Sequence, residues 1–184
     1  MSSLDEMNQK IGQLRTLNAV EEMERRWDSD YAERYNDSRL DLNDPIDLSG
    51  SYPGGLKALY ANTNGAQFGD ITFYSADRFR PQKAVNEYGE PIDDRTRIQV
   101  GSVGEQSMLL DTASGSIMIY FYTYFKYRWD TGVMVKCPDV AEFVSTVALG
   151  SRYTEIKGPA DKQTSNWWND DPWYHYLREI GMAQ

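Results

Sequence analysis

From Ile98 to Val135 the apolar residues recur with a period of two, and turn formers break the pattern into short pieces. Ile98 and Val100 lead to Gly101, Met108 and Leu110 lead to Asp111, and Ser114-Gly115 supplies a hairpin turn. The run that follows is the longest alternation in the chain. It places Ile117, Ile119, Phe121 and Thr123 on one face and Met118, Tyr120, Tyr122 and Tyr124 on the other. Asp130-Thr131-Gly132 marks another turn, and Val133-Met134-Val135 another strand. Strands this close in sequence usually become neighbours in space, so the pattern predicts an antiparallel meander.

Helical spacing dominates both ends. Leu4, Met7, Ile11 and Leu14 recur at steps of three and four, and a looser stripe continues through Leu17, Val20, Trp27, Tyr31 and Tyr35. The phase slips near Asn18, against a sustained coiled coil. Two arrangements stay open: a helix packed on its own domain, or an arm that zips to a partner or second copy. Asn36 to Gly54 has a linker's composition, with Pro45 and Pro53 blocking helix. A boundary near Asp47 divides an arm and linker (1–46) from the main domain (47–184).

After Pro53, Leu56, Leu59 and Tyr60 share a helical face, and Asn64-Gly65 provides a left-handed stop. Asp70 to Tyr74 alternates as a strand, while residues 80–97 read as a surface loop or extended crossing. Asp139 and Glu142 stand as a capping box before the stripe Val140, Phe143, Val144 and Val147, with Gly150 as terminator. Asp171 and Pro172 open a last helix whose inner face is Trp173, Leu177 and Ile180. The sum is an α+β fold, a mostly antiparallel sheet flanked by helices, with a long N-terminal helix.

Composition then narrows the function. One cysteine, Cys137, and one histidine, His175, cannot form an intramolecular disulfide or a Cys/His zinc cluster, so no metal or cofactor is expected. With 19 basic against 28 acidic side chains the net charge is −9, and residues 1–50 alone hold 12 acidic and 6 basic residues. Such a field opposes nucleic acid, whose binding needs clustered Lys and Arg. No stretch nears the roughly 20 apolar residues of a membrane span, and the acidic N-terminus does not read as an export signal. The expected compartment is the cytoplasm, which a lone thiol suits. Asp93-Asp94 and Asp170-Asp171 are adjacent pairs, which in extended chain point to opposite faces and do not converge. With no phosphate loop or nucleophile elbow either, no catalytic residue is assigned and an enzyme is not expected.

Pro53-Gly54-Gly55-Leu56-Lys57, followed by Leu59-Tyr60 and Asn64-Gly65, resembles the P…L…NG signature of the SUKH superfamily. That superfamily contains Smi/Knr-like regulators and bacterial toxin-immunity proteins. The resemblance continues through Phe73-Tyr74-Ser75, through Leu109-Leu110-Asp111-Thr112 to Gly115-Ser116-Ile117, and through Ala141-Glu142-Phe143 to Tyr153. It covers roughly Leu48 to Ile156, with residues 1–40 outside it. It implies a non-catalytic, protein-binding domain that neutralises a toxin, commonly a nuclease or deaminase; the chain itself is expected to be a monomer or homodimer. Nucleases are basic around their substrate groove, so an acidic protein is steered towards them. Candidate contacts are Asp70, Asp77, Glu87, Glu90, Asp93 and Asp94 in or beside loops, the strand-face Tyr122 and Tyr124, and Trp167, Trp168 and Asp170 in the tail. Of the two adjacent tryptophans, one is expected to stand exposed. Trp173 and Tyr120 are expected inside. The alternative function is a regulatory or structural assembly module that oligomerises through the N-terminal helix.

Overall fold

The computed structural model describes residues 1–27, 39–158, 163 and 165–184. Its centre is an antiparallel sheet of eight strands, and the order of strands follows the chain. They are β1 (Arg39–Leu42), β2 (Ala66–Gly69), β3 (Ile71–Phe73), β4 (Arg80–Gln82), β5 (Arg97–Val103), β6 (Gln106–Leu110), β7 (Ile117–Tyr120) and β8 (Val133–Cys137). The path runs β1-β2-β3-β5-β6-β7-β8, and β4 pairs with the stretch of β5 that precedes β3's partners. The expected meander is present, and it extends further towards the N-terminus than the alternation in sequence indicates.

Helices cover the apolar face. α1 (Ser3–Thr16) is capped by Ser2, whose hydroxyl accepts from the Asp5 N–H while the Asp5 carboxylate accepts in return. Its Met7, Ile11 and Leu14 are wholly buried. The phase slip has a structural cause: Asn18 sits at φ +48°, and α2 (Ala19–Trp27) starts anew after it. The expected continuation over 28–35 lies outside the described residues. α1 packs against α3 (Gly54–Tyr60) and α4 (Val140–Glu142), so the stripe faces its own domain. A single apolar cluster joins Met7, Ile11 and Leu14 to Leu40 of β1, Phe68, Phe73, Ile119 and Val144. It reaches Trp173 and Leu177 of α5 (Pro172–Glu179). Part of the expected linker is therefore strand: β1 forms a sheet edge, Leu40 in its middle facing the core.

Local signals act largely as their chemistry requires. Gly65 takes φ +84° after α3, and Asp171 accepts the Tyr174 N–H at 2.7 Å with Pro172 opening α5. The Asp139 carboxylate accepts the Glu142 N–H at 2.8 Å. Beyond that cap, however, the backbone becomes a π-helix over Phe143–Ala148. The Glu142 carbonyl accepts from the Thr146 hydroxyl at 2.8 Å and the Ser145 hydroxyl at 3.3 Å, which compete with the α-helical ladder. The Lys10 ammonium of α1 donates to the carbonyls of Ser145 and Leu149 at 2.7 and 3.0 Å, holding the widened turn. Gly150 ends the segment in extended backbone rather than as a left-handed cap. It is needed there because a Cβ would lie 2.5 Å from the Thr146 carbonyl oxygen.

β7 is shorter than its alternation predicts. A bulge falls between Ile119 and Tyr120, and the Phe121 N–H closes onto the Gly132 carbonyl at 2.8 Å. The chain then leaves the sheet in a 3₁₀ turn over Tyr124–Tyr127, with Arg128 at φ +57°. Tyr122 and Tyr124 consequently do not share a strand face with Tyr120. All three still meet from the turn, with ring centroids 4.9 and 6.4 Å from Tyr120. They cover the second face of the sheet, where Leu109 and Met118 pack with Ala84. β6 and β7 thus carry apolar side chains on both faces, which is why Met108-Leu109-Leu110 and Ile117-Met118-Ile119 read as unbroken apolar runs. Among the described residues no helix is long and apolar enough to cross a membrane.

Candidate functional site

Two surfaces gather the side chains that could meet a partner. The first is the loop between β4 and β5. Asn86 organises its tip: its side-chain carbonyl accepts the Tyr88 and Glu90 N–H groups at 2.9 and 3.0 Å, and its amide donates to the Glu90 carboxylate at 3.1 Å. The Asn86 N–H donates to the Glu90 carbonyl at 2.8 Å, Gly89 turns the chain at φ +79°, and Val85 bridges to Pro91. Below the tip, Ala84 is buried and the Tyr120 hydroxyl donates to the Val85 carbonyl at 2.8 Å. The loop is tied to the sheet through the tyrosine cluster. It holds out Tyr88, 79% exposed, with Ile92 behind it at 46%. Residues 86–94 carry four acidic and no basic side chains.

The expected loop acids take different places here. Glu87, Glu90 and Asp94 are exposed. Asp93 instead holds Arg97 in a two-pronged pair at 3.0 and 2.6 Å and accepts the Arg95 N–H at 3.0 Å. The Arg97 hydrogen bonds, with lesser help from the Arg95 N–H, keep its carboxyl below the ordinary carboxylate range. Tyr122 and Tyr124 are half-buried beneath the loop rather than open, and the Tyr122 hydroxyl is buried without a hydrogen-bond partner among the described residues.

The second surface is an open cleft of about 1200 Å³ at the end of the sheet where the β2–β3 and β5–β6 hairpins turn. Asp70 reaches it and pairs with Lys157 at 2.9 Å, and the Lys157 ammonium lies 4.2 Å from the ring centroid of Trp167. The expectation that one of the paired tryptophans stands exposed is corrected. Both are half-buried on a 3₁₀ turn, edge to face at 6.1 Å, packed against the main core. On a 3₁₀ turn adjacent side chains stand about 120° apart rather than on opposite faces as in a strand, so both can be partly covered. Asp170 follows them and is exposed, and Asp77 is exposed on the turn Ala76–Arg78; neither lines the cleft.

Trp173 and Tyr120 are buried as expected. Cys137 is buried, and burial pushes its thiol up to about 11, against a smaller opposing pull from Arg152. His175 is an exposed ring. Among the described residues no group of three His, Cys, Asp or Glu side chains comes together as metal ligands would.

Sequence reading passed over Tyr88, Tyr127 and Trp129. For Tyr88 the signal was an isolated aromatic between Glu87 and Gly89 in a polar loop, a position no core needs. Tyr127 and Trp129 lie between the expected strand, which ends at Tyr124, and the turn at Asp130, a stretch with no periodicity to mark it. They form a triangle with Phe121, centroids 5.4 to 5.7 Å apart, on the wall of the cleft. Compared with known proteins, the chain matches no family model, no curated protein and no solved structure.

Proposed function

We propose that this chain is a non-catalytic, cytoplasmic binding protein of the SUKH immunity type, which neutralises a basic toxin domain, a nuclease or deaminase, by covering it. The observation that carries this reading is Tyr88, exposed at the tip of a loop whose own hydrogen bonds already hold it. A tyrosine buries a large area for few rotors, and a loop ordered in advance loses little entropy on docking. Glu87 and Glu90 beside it supply the charge that draws in a basic surface, and the overall −9 steers the encounter. The carboxylates that are grouped with other polar groups are engaged structurally, Asp93 with Arg97 and Asp70 with Lys157, which supports binding rather than catalysis. Assembly through the N-terminal helix has less to recommend it, because α1 turns Met7, Ile11 and Leu14 into its own core.

The test is co-expression and co-purification with the toxin domain encoded next to its gene. The expected result is rescue of growth and a complex whose association slows with added salt. Tyr88→Ala is expected to weaken that complex by roughly 30-fold or more, the loss of one interface anchor of about 2 kcal/mol, with no change in melting temperature. Absence of a complex with wild type sinks the reading. A Tyr88→Ala, Glu87→Gln, Glu90→Gln variant that binds as tightly as wild type sinks the role of the loop.

A further inference from the structure

The cleft is unlike the rest of the molecule. In a chain of net charge −9, its lining among the described residues holds two basic side chains, Arg39 and Lys157, against two acidic ones, Asp70 and Glu105. Lys157 and Asp70 neutralise each other. What remains is a floor of neutral hydrogen-bonding groups. Gln67, Thr72 and Ser102 stand abreast on β2, β3 and β5, in register with one another, and Gln106 lies at the start of β6. Neighbouring strands set such groups about 4.8 Å apart on a rigid base. The wall beside them is aromatic, with Tyr127 62% exposed and backed by Phe121 and Trp129. On the same wall the Trp167 indole N–H is buried with no hydrogen-bond partner among the described residues. Native structures rarely leave such a donor unmet unless a water or ligand completes it.

We infer that this cleft binds an uncharged oligosaccharide, whose hydroxyls pair with the amide and hydroxyl floor while a sugar face lies against Tyr127. Each alternative class lacks something the cleft would have to provide. A phosphorylated ligand needs an excess of cations or a free helix N-terminus, and the lining charges cancel. An extended peptide that adds to a sheet needs an open strand edge, whereas β2, β3, β5 and β6 are paired on both sides along the sheet. A hydrophobic ligand would strip water from Thr72, Ser102 and Gln106 without replacing its hydrogen bonds. A neutral polyol satisfies the polar groups through hydroxyls that both donate and accept. The size fits more than one ring, since about 1200 Å³ exceeds the roughly 300–1,000 Å³ of sites for a single small ligand.

The experiment titrates full-length ¹⁵N-labelled protein with maltohexaose, cellohexaose, chitohexaose and mannohexaose. A neutral hexapeptide, Ala-Asn-Gly-Ser-Asn-Ala, is titrated in parallel. The readout is the indole N–H signals of Trp129 and Trp167, assigned with Trp129→Phe and Trp167→Phe. At least one saccharide is expected to shift both signals saturably, with a dissociation constant of roughly 1 mM or tighter. Tyr127→Ala should weaken it roughly fivefold by removing the stacking surface. Ser102→Phe, which fills the floor from a half-buried position, should abolish it while each variant keeps the wild-type melting temperature. If Ser102→Phe unfolds, Thr72→Arg serves as the second blocking variant. The inference is overturned if no saccharide moves either signal at about 10 mM, a concentration that would half-saturate sites far weaker than expected. It is equally overturned if the peptide alone shifts them, or if the shifts survive both blocking substitutions.

Discussion

Asp93 separates two accounts of the acidic loop. Sequence places it among candidate partner contacts; the structure engages both of its oxygens with Arg97 and one with the Arg95 N–H. Arg97 is 7% exposed, so deleting the carboxylate leaves a nearly buried guanidinium without its counter-charge. Breaking a fully buried pair costs about 3–5 kcal/mol. The Asp93 side chain is 36% exposed, and water screens that end of the pair. Asp93→Ala should therefore cost about 2 kcal/mol. For a domain of this size that lowers the melting temperature by about 4–8 °C. Asp94→Ala, next in the chain and exposed, should stay within about 0.5 kcal/mol of wild type. Differential scanning calorimetry of the two variants at neutral pH makes the comparison at equal change of charge. Adding Arg97→Met to Asp93→Ala should recover part of the loss, because a buried apolar chain replaces an unpaired cation. The pH dependence has a definite sign. The folded protein holds Asp93 below its ordinary value, so its stabilisation is complete above the unfolded value of about 3.9 and disappears as pH falls through the lower, folded one. The gap between wild type and Asp93→Ala should narrow in acid. If Asp93→Ala melts within about 1 °C of Asp94→Ala at pH 7, the pair is not structural and this reasoning fails.

Gly69→Ala should be severely destabilising, by about 3 kcal/mol or more: φ is +63°, and the new Cβ would lie 2.2 Å from the Tyr153 hydroxyl and 2.5 Å from Trp173. Denaturant titration showing less than about 1 kcal/mol would mean these rings yield readily. Lys10→Met should cost about 1–3 kcal/mol by orphaning the Ser145 and Leu149 carbonyls, and faster amide exchange around Phe143–Ala148 should report it. Cys137 should resist thiol reagents at pH 7 in the folded state and react at the unfolding rate, since it is buried and its thiol is pushed up to about 11. Labelling of the folded protein as fast as in urea would contradict that burial.

Much of the fold was legible because it depends on chain-local chemistry. The period-two run, the Asp139 and Asp171 caps and the Met7-Ile11-Leu14 stripe each declare an element from neighbouring residues alone, and each appears in the structure. The acidity and the shortage of Cys and His were likewise plain in the sequence, and with them the kinds of chemistry the chain is poorly equipped to perform. Tertiary structure decided what depends on partners far away in sequence. β1 is a strand because β2 offers it a ladder, although Arg39-Leu40-Asp41-Leu42 is too short to announce one. The segment after Phe143 widens into a π-helix because Ser145 and Thr146 hydroxyls capture a carbonyl while Lys10, 135 residues away from Ser145, holds two others. The same holds for the sites. That Glu87 and Glu90 lie in a loop was readable, but whether an acid is open like them or locked like Asp93 depends on which cation the fold delivers. A cleft has no sequence signature, because Gln67, Ser102 and Tyr127 become neighbours only when the sheet and its loops close around them.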